Sequence, residues 1–147
     1  MKTLLDRIAD HPFVLGMPED HIAMLAPGAA EARFKPGNPI LREGEPANRL
    51  YLIESGAIAL EAHEPGDGTF AIETLTGGDV LGWSWLLSPY VWHFQARALE
   101  PATTLMLDAA RLLVAAEENP VFGYELMKRT AHVLMKRMRS MRNLIRK

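Results

Sequence analysis

Short apolar runs separated by turn-forming residues dominate the middle of the chain. The runs are Pro39-Ile40-Leu41, Leu50-Tyr51-Leu52-Ile53, Ala57-Ile58-Ala59-Leu60, Phe70-Ala71-Ile72 and Thr103-Thr104-Leu105-Met106-Leu107. Residues that favour tight turns, such as Pro36-Gly37-Asn38 and Gly77-Gly78-Asp79, stand between them. Many short strands at this spacing predict a sandwich or a barrel-like roll over residues 32–108.

The N-terminal segment, residues 1–30, has a helical pattern instead. Its apolar residues between positions 4 and 25 are interrupted at Pro12 and Pro18. Because proline favours helix starts and disrupts helix interiors, two short helices are predicted in this segment.

The C-terminal part of the chain also has a helical pattern. Residues 109–118 predict a short helix, which Asn119-Pro120 ends. No further proline follows, so one long helix is predicted over residues 120–147. A chain of 147 residues is long enough for one hydrophobic core. The predicted fold class is therefore α+β, mainly β, in a single domain of residues 1–147.

The long helix carries two interleaved apolar series. Six residues alternate at steps of four and three: Met127, Ala131, Leu134, Met138, Met141 and Ile145. This is the spacing of the a and d positions of a coiled coil, so the helix is predicted to form a homodimer. The alternative is a helix packed only on its own β-roll. Leu126, Val133 and Leu144 lie on another face that could make that contact.

Composition and histidine placement exclude several kinds of site. The chain has no cysteine, which excludes disulfides, thiolate metal sites and a cysteine nucleophile. Its histidines, at positions 11, 21, 63, 93 and 132, never form the close pair of a metal site, and glycine-rich phosphate loops are absent. We therefore predict no enzyme activity, no metal and no cofactor.

The distribution of apolar residues also bears on location. No stretch of the sequence approaches about 18 consecutive apolar residues. Residues 1–10 lack the apolar core and cleavage site of a leader. The chain is therefore predicted to be cytoplasmic and to make no membrane contact.

Charge is divided unevenly along the chain. Residues 128–147 carry eight basic side chains and no acidic one, which leaves 8 basic against 18 acidic side chains, a net −10, in the remainder. The basic helix allows three interpretations: a solvated flank, attraction to the acidic body of the same chain, or nonspecific attraction of nucleic acid or an acidic partner.

A series of glycines and apolar residues carries a family resemblance. Its members are Phe34, Gly37, Ile40, Glu43-Gly44, Leu50-Tyr51-Leu52-Ile53, Gly56, Leu60, Gly78-Asp79, Gly82, Leu86-Leu87, Ala96-Arg97-Ala98, Leu105 and Leu107. In order and spacing the series resembles the cyclic-nucleotide-binding domain of the Crp/Fnr class of bacterial regulators. The resemblance implies a jelly-roll-like β-roll that binds a small ligand and signals through a dimer helix. In this class a helix-turn-helix domain follows that helix, whereas this chain stops at Lys147, so a stand-alone module without specific DNA binding is predicted.

The residues that grip a cyclic nucleotide in the family are replaced here. The resemblance implies a glutamate directly after Gly82, on the ribose hydroxyl, and an arginine further along, on the phosphate. Those places hold Trp83 and, near the second, Trp92, and no lysine or arginine occurs from Trp83 to Ala96. Each charge-assisted contact to an anion contributes about 1.5–3 kcal/mol. Cyclic AMP and cyclic GMP binding is therefore predicted to be weakened by several orders of magnitude.

An aromatic segment, residues 82–94, stands in place of the phosphate-gripping residues and contains all three tryptophans. The tryptophans either fill the emptied pocket as core or wall a pocket for a flat or apolar effector. The candidate pocket residues are Leu75, Gly82, Trp83, Ser84, Trp85, Trp92, His93 and Arg137. The resemblance implies that ligand occupancy and dimer geometry are coupled, with a regulatory protein as the receiving partner.

Overall fold

Eight strands and four α-helices form the described part of the chain. The structure, a computed structural model, describes residues 1–64, 66, 68–82, 85 and 90–146. The elements are α1 (Leu4–Ala9), a 3-10 helix (Pro12–Val14), α2 (Glu19–Leu25), β1 (Ala30–Phe34), β2 (Pro39–Leu41), β3 (Arg49–Ser55), β4 (Ala57–Glu64), β5 (Gly68–Thr76), β6 (Val80–Leu81), β7 (Gln95–Ala98), β8 (Ala102–Asp108), α3 (Ala109–Glu118) and α4 (Pro120–Arg146).

The strands form two antiparallel four-stranded sheets around one apolar core. The first sheet has the order β1-β8-β3-β6 and the second the order β2-β7-β4-β5. Leu50 and Leu52 of β3 and Ile58 and Leu60 of β4 are buried in the same core cluster. The predicted mainly β roll with helices at both ends is confirmed. None of the helices among the described residues combines the length and the apolar character that a membrane span needs.

Local sequence signals locate several elements closely. Helix α3 occupies residues 109–118, and the side chain of Asn119 accepts a hydrogen bond from the backbone N–H of Phe122 at the start of α4. Asparagine is a preferred N-cap, so one residue both ends α3 and begins α4. Strand β6 is only two residues long, too short for a hydrophobic period to predict.

Helix α4 packs on the body through one face. The residues of this face recur at helical spacing and are Phe122, Leu126, Thr130, Val133, Arg137 and Leu144. Leu126 is buried, and Val133 and Leu144 pack partly buried against the core, so these three make the contact with the body that the alternative interpretation assigned to them. This face gives α4 a fixed orientation, in which its other faces point away from the roll.

The N-terminal segment is tied to both the roll and α4. His11 Nε2 lies 2.9 Å from the carbonyl oxygen of Ile53 in β3, and His11 Nδ1 accepts a hydrogen bond of 3.1 Å from the backbone N–H of Phe13. Arg129 of α4 donates to the carbonyl oxygens of Phe13 and Leu15, at 2.6 and 2.9 Å. The 3-10 helix is therefore held between a strand and the long helix.

Acidification is expected to destabilise the fold through His11. Since Nδ1 accepts a bond, the ring is neutral and Nε2–H donates to Ile53. Burial lowers the pKa of His11 below its usual value of 6.5, although Ile53, Glu54 and Asp79 act in the opposite sense. In the unfolded chain His11 binds a proton near pH 6.5, whereas in the folded chain it does so only at lower pH. The free energy of unfolding therefore falls as the pH decreases below about 6.5.

Urea unfolding at pH 7.5 and at pH 5.5 measures this effect. The His11→Asn variant is the control, because it lacks the titrating group and isolates the contribution of His11 from that of the other histidines. We expect the loss of stability between the two pH values to be larger in the native chain than in the variant. Equal losses would show that His11 does not titrate differently in the two states.

Candidate functional site

The cavity of the β-roll is almost closed. It lies where β2, β4, β6 and the segment that precedes β7 meet α4, and its described lining is Leu41, Leu60, Leu81, Gly82, Trp92, His93, Phe94 and Arg137. These residues leave a volume of about 10 Å³. That is room for about one water molecule, whereas pockets for small molecules measure about 300–1,000 Å³.

The side chain of Trp92 lines this cavity and is buried. Only 6% of the residue is exposed. A Cβ added at Gly82 would lie 3.0 Å from both Cη2 and Cζ3 of the indole and 3.3 Å from the carbonyl oxygen of Arg49. Gly82 also has a φ of +102°, which side-chain-bearing residues rarely adopt. The indole therefore packs directly on backbone that only glycine provides.

The backbone of Trp92 is fixed on both sides. Its N–H donates to the carbonyl oxygen of Glu45, and its own carbonyl accepts from the N–H of Gly44, each at 2.9 Å. The preceding Tyr90, with a φ of +56°, accepts a bond from the N–H of Ala47. A left-handed conformation is uncommon for a bulky residue, so the pairing of this segment with the 44–47 turn holds Trp92 in place at some conformational cost.

Arg137 reaches the same cavity from α4, but its charge is already matched. Its Nη1 donates to Oε2 of Glu73 at 2.8 Å and its Nη2 donates to the carbonyl oxygen of Val80 at 2.7 Å. The two side chains are only 5% and 17% exposed. Strand pairing places Glu73 opposite Leu60, which lines the cavity. The pair therefore links α4 to β5 and β6, and the charge of Arg137 is already balanced by Glu73 rather than available to an anionic ligand.

A second ion pair lies beside the first. Lys136 Nζ contacts Oδ1 of Asp79 at 2.5 Å, and Oδ2 of the same carboxylate accepts from the backbone N–H of Thr76 at 2.9 Å. Asp79 belongs to the Gly-Asp turn between β5 and β6. Two successive residues of α4 thus hold the edge of the roll.

Only some of the predicted pocket residues line the cavity. Gly82, Trp92, His93 and Arg137 line the cavity together. Leu75 and Trp85 are fully buried but are not part of this lining, and the indole N–H of Trp85 has no hydrogen-bond acceptor among the described residues. Trp83 and Ser84 lie outside the described residues. Whether these residues bind a ligand stays a prediction.

Several lining residues were not predicted from the sequence. They are Leu41, Leu60, Leu81 and Phe94, together with Glu73 as the partner of Arg137. The leucines resemble any core position, so no local signal distinguishes them. Glu73 was detectable only as an acidic residue within an otherwise apolar and threonine-rich strand.

The predicted dimer seam, meaning Met127, Ala131, Leu134, Met138, Met141 and Ile145, lies away from the body. Met138 is 68% and Ile145 86% exposed, and only Leu134 is half-buried. Tyr124, also 68% exposed, continues the seam by one more step toward the N-terminus. The face that packs on the roll is a different one, so α4 has two apolar faces.

The basic side chains of α4 are partly matched within the chain. Lys136 and Arg137 pair with acidic residues of the roll, and Arg129 pairs with Glu125 one turn away. Lys136 and Arg137 are thus attracted to the acidic body, and attraction of nucleic acid by the other basic residues stays a prediction. Arg139, two positions further along the helix than Arg137, is exposed.

Among the described residues no cluster of three or more His, Asp or Glu side chains could hold a metal ion.

Two antiparallel sheets around a common core, closed by a long helix that reaches the cavity, define a cyclic-nucleotide-binding-type β-roll. The profile of the cyclic nucleotide-binding domain matches residues 31–119. The chain belongs to this family. No curated protein matches the chain.

Solved structures share the fold. A protein assigned as cyclic nucleotide-binding from Geobacter metallireducens GS-15 has a TM-score of 0.82 and 25% identity, over 94% of this chain and 99% of that one. The catabolite activator protein of Thermus thermophilus has a TM-score of 0.70 and 22% identity, over 91% of this chain and 61% of that one. The regulatory subunit of a cAMP-independent protein kinase A from Trypanosoma brucei has a TM-score of 0.72 and 22% identity, over 88% and 46%.

Proposed function

We propose that the chain is a homodimeric regulatory module whose ligand position is filled by its own Trp92. Two copies associate through the seam of α4, and the module acts on a partner protein by binding rather than by catalysis. The observation that carries this proposal is the cavity of about 10 Å³ beside a buried Trp92 that packs on Gly82. The second candidate is a sensor in which a flat apolar effector displaces Trp92.

Charge in the cavity argues against a cyclic nucleotide as the ligand. Burying a phosphate without a counter-charge costs several kcal/mol. The lining cation Arg137 is committed to Glu73, and residues 83–96 contain no lysine or arginine. The similar kinase subunit from Trypanosoma brucei is described as cAMP-independent, which supports a regulatory role of this fold without that nucleotide.

The two apolar faces of α4 support self-association. Phe122 and Leu126 are buried against the body of the chain, so the inward face is satisfied by the chain itself. The seam repeats with coiled-coil spacing and offers large exposed side chains such as Met138 and Ile145. A second copy supplies the same face, which a two-fold interface requires.

Cyclic nucleotides are expected to leave the melting temperature unchanged. A ligand at 100 times its Kd adds about 2.7 kcal/mol of stability, which for a domain of this size corresponds to roughly 5–10 °C. Thermal unfolding with millimolar cyclic AMP and cyclic GMP measures the effect, alongside a library of small aromatic compounds. A clear shift with either nucleotide would overturn the filled pocket, and a shift with an aromatic compound would favour the sensor.

Leu134→Glu is expected to convert the dimer into a monomer. The substitution places two carboxylates at the centre of the seam, where charge is unpaired and desolvated. Asn143→Glu is the matched control, because it introduces the same side chain at an exposed position of α4 outside the seam. Sedimentation velocity of both variants and the native chain measures the result. If Leu134→Glu sediments as the native dimer does, the seam is not the interface.

A further inference from the structure

Methionine is concentrated on the outer side of α4. The chain has eight methionines and no cysteine, so its sulfur chemistry is that of thioethers alone. Four of the eight lie within fifteen positions of α4 and are at least 41% exposed: Met127, Met135, Met138 and Met141. Three of these occupy the seam, whereas Met135 lies beside it. Met17, by contrast, is buried at 6% exposure.

We infer that Met127, Met138 and Met141 form an oxidation site that controls assembly of the dimer. The inference rests on the proposed dimer, whose interface these three residues would build. The chemical class of the modifying agent is a peroxide. Exposed methionine thioethers are common targets of such oxidants, and oxidation of methionine-rich interfaces disrupts them.

The modification is a two-electron transfer from sulfur to oxygen. A lone pair of the thioether sulfur attacks one oxygen of hydrogen peroxide, the O–O bond breaks and an S–O bond forms. The departing hydroxide takes the remaining hydroxyl proton and leaves as water. Sulfur is oxidised to the sulfoxide and the peroxide oxygen is reduced. Methionine sulfoxide reductases reverse the step with a thiol as reductant.

A sulfoxide oxygen in the seam meets few hydrogen-bond donors. It accepts hydrogen bonds, but the neighbouring seam positions Ala131, Leu134 and Ile145 carry no donor. A dimer would bury six such oxygens, three from each copy. Because burial of an unpaired polar group is costly, full oxidation is expected to weaken dimerisation by at least about 100-fold.

The equilibrium between monomer and dimer also determines how accessible the sulfur atoms are to peroxide. Single chains expose Met127 and Met138, at 53% and 68%, whereas association covers them. Oxidation of the seam is therefore expected to slow as the protein concentration rises. Oxidation of Met135, which lies beside the seam, depends less on concentration.

Hydrogen peroxide treatment of the full chain tests the inference. Peptide mass spectrometry locates the sulfoxides, and sedimentation velocity gives the oligomeric state before and after treatment. The triple variant Met127→Leu, Met138→Leu, Met141→Leu keeps an apolar seam without sulfur, and Met135→Leu is the matched control. We expect the native chain and Met135→Leu to dissociate on oxidation and the triple variant to stay dimeric. Treatment with methionine sulfoxide reductases is expected to restore the native dimer.

The outcomes separate this inference from the proposed function. If the untreated native chain is a monomer, the dimer proposal fails and the oxidation site fails with it. If the untreated chain is a dimer and remains one after Met127, Met138 and Met141 are oxidised, only the oxidation site is overturned. Dissociation of the oxidised triple variant would likewise overturn it, because the cause would then lie outside these residues.

Discussion

Replacing Trp92 with alanine is expected to lower the free energy of unfolding by about 3–5 kcal/mol. The residue is 94% buried and packs on Gly82 in a cavity that is otherwise filled. Its removal deletes the indole contacts and leaves a void that the rigid strands close only in part. Urea unfolding of the native chain and the variant measures the difference. Trp92→Phe, which keeps an aromatic ring, is the control and should lose less.

The same variant gives a positive test of the filled pocket. The cavity beside the indole is lined by Leu41, Leu60, Leu81 and Phe94 together with Gly82, His93 and Arg137. Removal of the indole enlarges it, and apolar cavities bind aromatic molecules of matching size. Free indole is therefore expected to raise the melting temperature of Trp92→Ala and to leave that of the native chain unchanged. A loss of stability below about 1 kcal/mol, or an equal response of both proteins to indole, would show that Trp92 does not occupy the ligand position.

The second large effect is expected for Arg137→Met, again about 3–5 kcal/mol, which is typical when one partner of a buried ion pair is removed. The substitution leaves the Glu73 carboxylate, 17% exposed, without its cation and the carbonyl of Val80 without its donor. Because the side-chain volume is nearly kept, the loss reports charge and hydrogen bonding rather than a void. Urea unfolding measures it, with Arg139→Met as a control at an exposed position of the same helix.

A double variant separates the pair from its surroundings. Arg137→Met with Glu73→Leu removes both charges, and well-packed apolar residues often replace a buried ion pair without loss. We expect the double variant to recover most of the stability that Arg137→Met loses. If the double variant is as unstable as the single one, the contact between Arg137 and Val80, and not the ion pair, stabilises α4 on the roll.

The ends of helices and strands were predicted closely wherever a local sequence signal marks them. Proline and asparagine mark the end of α3 and the start of α4, because each restricts the backbone at its own position. The short apolar runs of the roll likewise coincide with strands, for example Pro39-Ile40-Leu41 with β2. Strand β6 was missed because two residues carry no period, and the left-handed Tyr90 was missed because nothing in its side chain favours that conformation.

Four of the eight candidate residues line one cavity, but their role in ligand binding stays a prediction. The family resemblance placed Gly82, Trp92 and Arg137 near one another, and the structure brings them to one cavity. The partner of Arg137 was not predicted, because Glu73 lies 64 positions away in the sequence and only the pairing of β4 with β5 brings it there. An indole can either fill a pocket or form its wall. The outcome depends on how side chains from both sheets pack together, and a local sequence pattern does not predict that packing.

Because the tryptophans are clustered, intrinsic fluorescence reports on the cavity region of the chain. All three lie within ten positions, from Trp83 to Trp92, and Trp85 and Trp92 are buried. Indole fluorescence of the whole chain therefore originates from this one segment. Any event that moves Trp92 into water shifts the emission to longer wavelength without a label, so occupancy of the roll can be followed in real time while α4 associates.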